Sequence, residues 1–200
     1  MFLKKGQLPI LISILILLAV FLPMSLQKKN YEFVMYIGVI IIFFLLILAT
    51  NKKHNLSNGV LWGLVVWAIL HMCGGFVYLN GTRLYEIQLL NIITRPEYYI
   101  LRYDQFVHMF GFGLTTFIAY EILKPYLNKK VNWVVVSALL MLIAIGVGAV
   151  NEIIEFITVV IVPETGVGGF YNTSLDLVAN GVGAFIAIFI VNFLRKKVDY

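Results

Sequence analysis

Six apolar runs occupy most of this chain, at about residues 8–26, 33–50, 60–79, 104–123, 131–162 and 174–194, and they leave few folds open to it. A helix needs about 20 apolar residues to cross the hydrocarbon core, and a backbone in lipid must close its own hydrogen bonds. The runs therefore predict an all-α fold: a polytopic bundle of six transmembrane helices, forming one integral membrane domain over residues 1–200. With 61% of its 200 residues apolar, the chain has no room for a separate soluble domain. The first run follows Lys4 and Lys5 as a signal peptide would. It is long for one and no small-x-small cleavage site follows it, which predicts a retained span.

The net charge of +5 does not point to nucleic acid, because the basic residues sit in short clusters beside the apolar runs. Such clusters set orientation in a membrane. Six crossings put both termini on one side. With that side cytoplasmic, Lys4, Lys5, Lys52, Lys53, Lys124, Lys129, Lys130, Arg195, Lys196 and Lys197 lie inside. Only Lys28, Lys29, Arg83, Arg95 and Arg102 lie outside. The imbalance predicts cytoplasmic termini in an inner or plasma membrane, with lipid as the surrounding partner. The one cysteine, Cys73, excludes an internal disulfide.

The connection at 80–103 is mixed in character, with Arg83, Glu86, Arg95, Glu97 and Arg102 among Tyr85, Tyr98, Tyr99 and Tyr103. Tyrosine favours the headgroup layer, so this stretch reads as an interfacial cap, divided by Pro96. Asn55, Asn80 and Asn172 open short matches to the glycosylation sequon, which occur often by chance.

The fifth run is the oddity. Its only charges are Glu152 and Glu155. A carboxylate at bilayer depth costs roughly 2.5–3.5 kcal/mol on insertion scales, so it faces a partner or a cavity. At about 1.5 Å per residue the run would reach roughly 48 Å against a core of about 30 Å. It must tilt, kink or project, and Gly146 and Gly148 mark the kink or close-packing point.

Topology gathers the other ionisable groups toward these two. Asp104 and His108 open the fourth span, Asp176 and Asn180 open the sixth, and His71 lies in the outer half of the third. All fall in the outer half of the membrane, and the first two spans contribute none. Asp104 and His108, Asn151 and Glu155, and Asp176 and Asn180 are each i,i+4 pairs, while Glu152 and Glu155 are i,i+3, so each set shares a helix face. Gly111, Gly113, Gly146, Gly148, Gly181 and Gly183 flank those faces, where small residues let helices approach closely. The expected arrangement is an outward polar pocket made by spans three to six and roofed by residues 80–103.

Several chemistries fit such a pocket. A divalent metal held by Asp104, His108, Glu152, Glu155 and Asp176 would relieve the carboxylate repulsion and activate water against a lipid-linked phosphate, ester or amide. That makes an envelope- or lipid-modifying hydrolase or transferase, with Asn180 also in the catalytic set and His71 and Asn151 in support. Metal-free acid–base catalysis by the same residues is a second reading. Transport fits poorly, since the polar residues are lopsided and the halves show no inverted repeat. A non-enzymatic protein binding a lipid or glycopeptide-like ligand remains open. So does a structural core, in which His108 pairs with a glutamate, Asp176 caps the sixth helix and Asn180 bonds a neighbouring backbone.

The motifs Tyr103-Asp104-x3-His108-x2-Gly111-Phe112, Asn151-Glu152-x2-Glu155 and Tyr171-Asn172-Thr173-x2-Asp176-Leu177-x2-Asn180-x2-Gly183-Ala184, with His71-x2-Gly74-Gly75, cover roughly residues 67–190. Together they resemble the YjdF-like bacterial and archaeal membrane proteins, and more remotely the VanZ-like family. The resemblance implies an inner-membrane protein. Through the VanZ-like likeness it implies a link to glycopeptide (teicoplanin) resistance, and it assigns no activity. The YjdF-like pattern often has Asp where this chain has Asn172, so a role needing a carboxylate there is not implied.

Overall fold

The computed structural model describes residues 3–92, 99–128 and 130–198. Arg95, Pro96, Glu97, Tyr98 and Lys129, and the side chains of Lys196 and Lys197, lie outside the described residues. Six helices carry the fold: α1 (Leu8–Gln27), α2 (Tyr31–His54), α3 (Asn58–Phe76), α4 (Tyr103–Leu123), α5 (Trp133–Ile161) and α6 (Phe170–Val198). All six are long and apolar enough to cross a membrane. The protein is a polytopic helical membrane bundle.

Local chemistry explains where the helices begin. The Asn30 side chain accepts from the Phe33 N–H at the start of α2, Ser57 caps α3 through the Val60 N–H, and Asn132 caps α5 through the N–H groups of Val134 and Val135. Each supplies an acceptor to a first-turn donor that has no partner within the helix. α6 starts at Phe170, four residues before the expected start of the sixth span. α5 runs unbroken through Gly146 and Gly148. Its 29 residues form one continuous helix, so no break falls at the glycines.

The connection between α3 and α4 departs from an all-α description. Tyr78–Leu79 (β1) pairs with Thr82–Arg83 (β2) in an antiparallel hairpin. Asn80 and Gly81 form its turn with φ of 52° and 83°. Two successive positive φ angles mark the type I′ turn that Asn-Gly favours, so the Asn80 sequon match is a turn signal. A 3₁₀ turn follows at Leu84–Glu86. The chain then runs out and back, with the Leu89 N–H donating to Leu101 O (2.9 Å) and the Tyr103 N–H to Ile87 O (2.9 Å). This connection packs on α3 and α4.

Ile10, Ile14, Leu17, Phe33, Ile37, Val65 and Met72 form an apolar core shared by α1, α2 and α3. Glycines at the end of α3 make room for two rings. A Cβ on Gly74 would stand 2.5 Å from the Tyr85 ring, and one on Gly75 would run into the ring of fully buried Phe33. Gly75→Ala should destabilise the protein by about 1–3 kcal/mol, the scale of core overpacking. Gly38→Ala, in open space on α2, should not. Thermal unfolding of both variants in detergent checks the contrast.

α4 packs against α3, α5 and α6, with its closest approach on α6. A Cβ on Gly183 would collide with the backbone carbonyl of Met109, and one on Gly113 would lie 3.2 Å from Gly183 O. Gly148 clears the Asn180 side chain by the same device, at 2.5 Å from Nδ2, and Gly111 clears Trp67. Gly146 and Gly181 behave otherwise than expected: neither has an atom within 4 Å of its Cβ position, so neither marks a close approach.

Candidate functional site

Alternating helix direction brings the start of α2, the end of α3, the start of α4, the end of α5 and the start of α6 to one end of the bundle. The polar side chains meet there. His108 is buried on α4, with Asp104 one turn before it. Its Nδ1 lies 3.1 Å from Asn180 Oδ1 on α6, a hydrogen bond that fixes the ring. In the tautomer that donates from Nδ1 to that oxygen, Nε2 carries the free lone pair. It faces Asp104 Oδ1 and Glu155 Oε1, each at 3.8 Å. Glu152 Oε1 stands 3.6 Å from Nδ1 on the other side of the ring.

Around this centre the carboxylates are held by amides. Asn151 Nδ2 donates to Glu155 Oε1 at 2.8 Å. Asn172 Nδ2 donates to Asp176 Oδ2 at 2.5 Å and lies 3.2 Å from Asp104 Oδ2, bridging α4 and α6. An Asp at 172 would replace that donor with another negative charge. Asp176 and Asn180 are fully buried. Three groups of this cluster have buried polar atoms with no hydrogen-bond partner among the described residues: Glu152 (both oxygens), Asp176 (Oδ1) and Asn180 (Nδ2). Buried polar atoms are seldom left so, and buried carboxylates least of all.

The donor set fits a cation. Asp104, His108 and Asp176 form one group, and His108, Glu152 and Glu155 another, each with its ligand atoms within 4.8 Å of one another. Metal–ligand bonds of about 2.0–2.2 Å allow two ligands of one ion to stand up to roughly 4.4 Å apart. Hydrogen bonds require about 2.7–3.2 Å. The two separations from His108 Nε2, 3.8 Å each to Asp104 and Glu155, fall in the first range and outside the second.

A cavity of about 40 Å³ opens beside Asp104, His108 and Glu155. That exceeds the roughly 10–15 Å³ that one water needs. Its far wall brings in residues from α2. Glu32 and Tyr36 line it, with Arg83, Tyr85 and the 166–168 turn. Glu32 is 6% exposed, accepts the Gly166 N–H at 2.7 Å and lies 3.9 Å from Arg83 Nη1. The first two spans therefore do contribute an acid to this end of the bundle, contrary to the sequence pattern. Glu32 sits at the edge of its apolar run and reads there as a turn residue. Only the fold of the 162–169 connection shows what it holds.

His71 lines the same cavity but stands outside both ligand groups. Its Nδ1 is 2.5 Å from Tyr85 Oη, and that hydroxyl also lies 2.9 Å from His71 O. Trp67 stacks on the imidazole at 5.4 Å. Burial pushes the Tyr85 phenol well above the ordinary tyrosine range, so it stays a neutral partner. Two structural roles expected from the sequence are also corrected. Asp176 lies in the second turn of α6 and does not cap it, and Asn180 bonds a side chain in place of a backbone group.

The family described as "Predicted membrane protein (DUF2238)" matches residues 9–197. The chain belongs to this family. The matched range takes in all the cluster residues of α2 to α6, so the site lies within the DUF2238 region. The match carries the membrane-protein assignment and not the YjdF-like or VanZ-like names. Neither the curated proteins nor the solved structures gave a match.

Proposed function

We propose that the cluster is a membrane-embedded divalent-cation site serving an enzyme of the cell envelope that acts on a lipid or a lipid-linked substrate. The observation that supports it is the spacing around His108: carboxylate oxygens at ligand distance, none at hydrogen-bond distance, with Glu152 buried and unpartnered. An imidazolium sets a single charge against the four carboxylates around it, whereas a dication would offset two charges and accept the lone pair of Nε2.

In this reading His108 would hold the ion together with the acids of its two groups, Asp104 with Asp176 and Glu152 with Glu155. Asn180 fixes the imidazole tautomer, the role of an outer-shell partner. Oxygen-rich ligation suits Mg²⁺ or Mn²⁺, and the histidine admits Zn²⁺. A bound ion would supply Lewis acidity and an activated water, and the chain's acids would accept the proton that the water gives up. The surplus of Lys and Arg at the opposite end supports an orientation with the site on the outer face of the plasma membrane and both termini cytoplasmic. The likeness to YjdF-like and VanZ-like proteins is consistent with a role in the envelope.

Metal analysis of the full-length protein, purified without chelators, tests the proposal. One divalent ion per chain is expected, and its absence overturns the reading. In metal-stripped protein, adding the ion at about 100 times its Kd should stabilise the fold by about 2.7 kcal/mol. The expected result is a rise in Tm that a chelator reverses.

A further inference from the structure

A second cavity, of about 170 Å³, shares Gly168 and Asn172 with the first. Its electrostatics are opposite. Among the described residues that line it there is no carboxylate, and its one charged group is the Arg102 guanidinium. The Tyr99 ring lies over that guanidinium at 4.3 Å. Arg102 Nε is buried without a hydrogen-bond partner. Gln105, one turn on, is 3% exposed. Its Oε1 accepts the Arg102 N–H at 2.8 Å, and its Nε2 amide is buried and unpartnered. Two donors are thus buried against this cavity with no acceptor among the described residues.

The opposite wall is the start of α6. Gly168 and Gly169 lead into Phe170, so the positive end of a 29-residue helix adjoins the cavity. A helix N-terminus favours anions, and here it faces a guanidinium and an unsatisfied amide. A Cβ on Gly169 would meet nothing within 4 Å, so the approach is open. Against the roughly 10–15 Å³ that one water needs, about 170 Å³ accommodates a group the size of a phosphate.

We propose that this cavity is a phosphate subsite, in which Arg102, Gln105 and the α6 N-terminus hold the phosphate of a lipid headgroup next to the carboxylate centre. The assignment rests on the cation-site reading and narrows its substrate to a phosphate-bearing lipid. Fork-like donors favour phosphate oxygens, which offer several acceptors at once. The division of labour follows from charge: the carboxylate cavity repels an anion unless a cation is present, and the neighbouring one attracts it. Asn172 stands between them, with its amide committed to Asp104 and Asp176.

The test uses the full-length protein in phosphate-free detergent. Short-chain phosphatidic acid, the matching diacylglycerol and inorganic phosphate are titrated separately, and metal content is measured on the same samples. Phosphatidic acid should bind more tightly than diacylglycerol. Gln105→Glu keeps the acceptor for the Arg102 N–H and puts a negative charge in the cavity. It should weaken phosphatidic acid binding by at least about tenfold, the scale of one charge-assisted hydrogen bond. Arg102→Gln should do the same and serves if the first variant does not fold. Inorganic phosphate binding with the same sensitivity would assign recognition to the phosphate alone, whereas a response to the lipid only would add its acyl chains. Either supports the subsite. Equal binding of diacylglycerol, or unchanged phosphatidic acid affinity in the folded variants, overturns it. Stoichiometric metal with no effect of either substitution sinks the subsite and spares the cation site. Phosphate binding lost in both variants of a protein without metal does the reverse.

Discussion

Asp104→Asn should lower divalent-metal affinity by about 100-fold or more, beyond the roughly 10–100-fold that outer-shell partners command. Asp104 Oδ1 is one of two carboxylate oxygens 3.8 Å from His108 Nε2. The amide is nearly the same shape, and its oxygen can still accept from Asn172 Nδ2, so the α4–α6 bridge survives. The variant should purify as a folded protein with substoichiometric metal and no cellular activity. Glu152→Gln sharpens the comparison. If the carboxylates were held only by packing, removing a buried, unpartnered charge would raise stability and leave the cellular phenotype intact. With a bound ion, the same change lowers metal content and removes the ion-dependent rise in Tm. Metal analysis and thermal unfolding of the two variants, with and without chelator, separate these outcomes. Normal metal content in both would end the cation-site proposal.

Gly183→Ala should be the most damaging single methyl in the protein, while Gly181→Ala, two residues away, should be nearly silent. A Cβ at 183 runs into the Met109 carbonyl, which belongs to the α4 backbone and cannot rotate aside. At 181 the same methyl meets nothing within 4 Å. Overpacking in a core costs about 1–3 kcal/mol when side chains can adjust, so a clash with backbone should reach the top of that range or exceed it. The effect also reaches the site. Met109 follows His108, and Gly183 lies one turn beyond Asn180, so the glycine contact sets the separation that the His108–Asn180 hydrogen bond needs. Gly183→Ala should therefore lose both thermal stability and metal, and Gly181→Ala neither. Unfolding in detergent and metal content, measured on the pair, provide the check.

The two glycines also show what a linear pattern leaves out. Gly181 and Gly183 flank the same polar face in the sequence and look equivalent there. They lie about 200° apart around an α-helix, and only the rotation of α6 against α4 decides which one meets a backbone. Gly146 and Gly148 differ for the same reason. Hairpin formation at Asn80-Gly81 was legible in principle, since that dipeptide is a strong turn signal. The two-residue strands beside it are too short to carry an alternating pattern.

Sequence by itself determined the six spans, because insertion depends on the summed apolarity of each segment and needs no tertiary partner. It also determined that Asp104, His108, Glu152, Glu155, Asp176 and Asn180 share one end of the bundle. Helix direction alternates at every crossing, and i,i+3 and i,i+4 spacings fix the face. Tertiary structure alone decided that Glu32 joins them, since the Gly166 N–H it accepts lies 134 residues away. The same holds for the pairing of Asn180 with the His108 ring and for the orphaned donors of Arg102 and Gln105 beside the start of α6. Those contacts depend on how the helices are rotated and how the connections fold back, and side-chain packing between distant segments sets both.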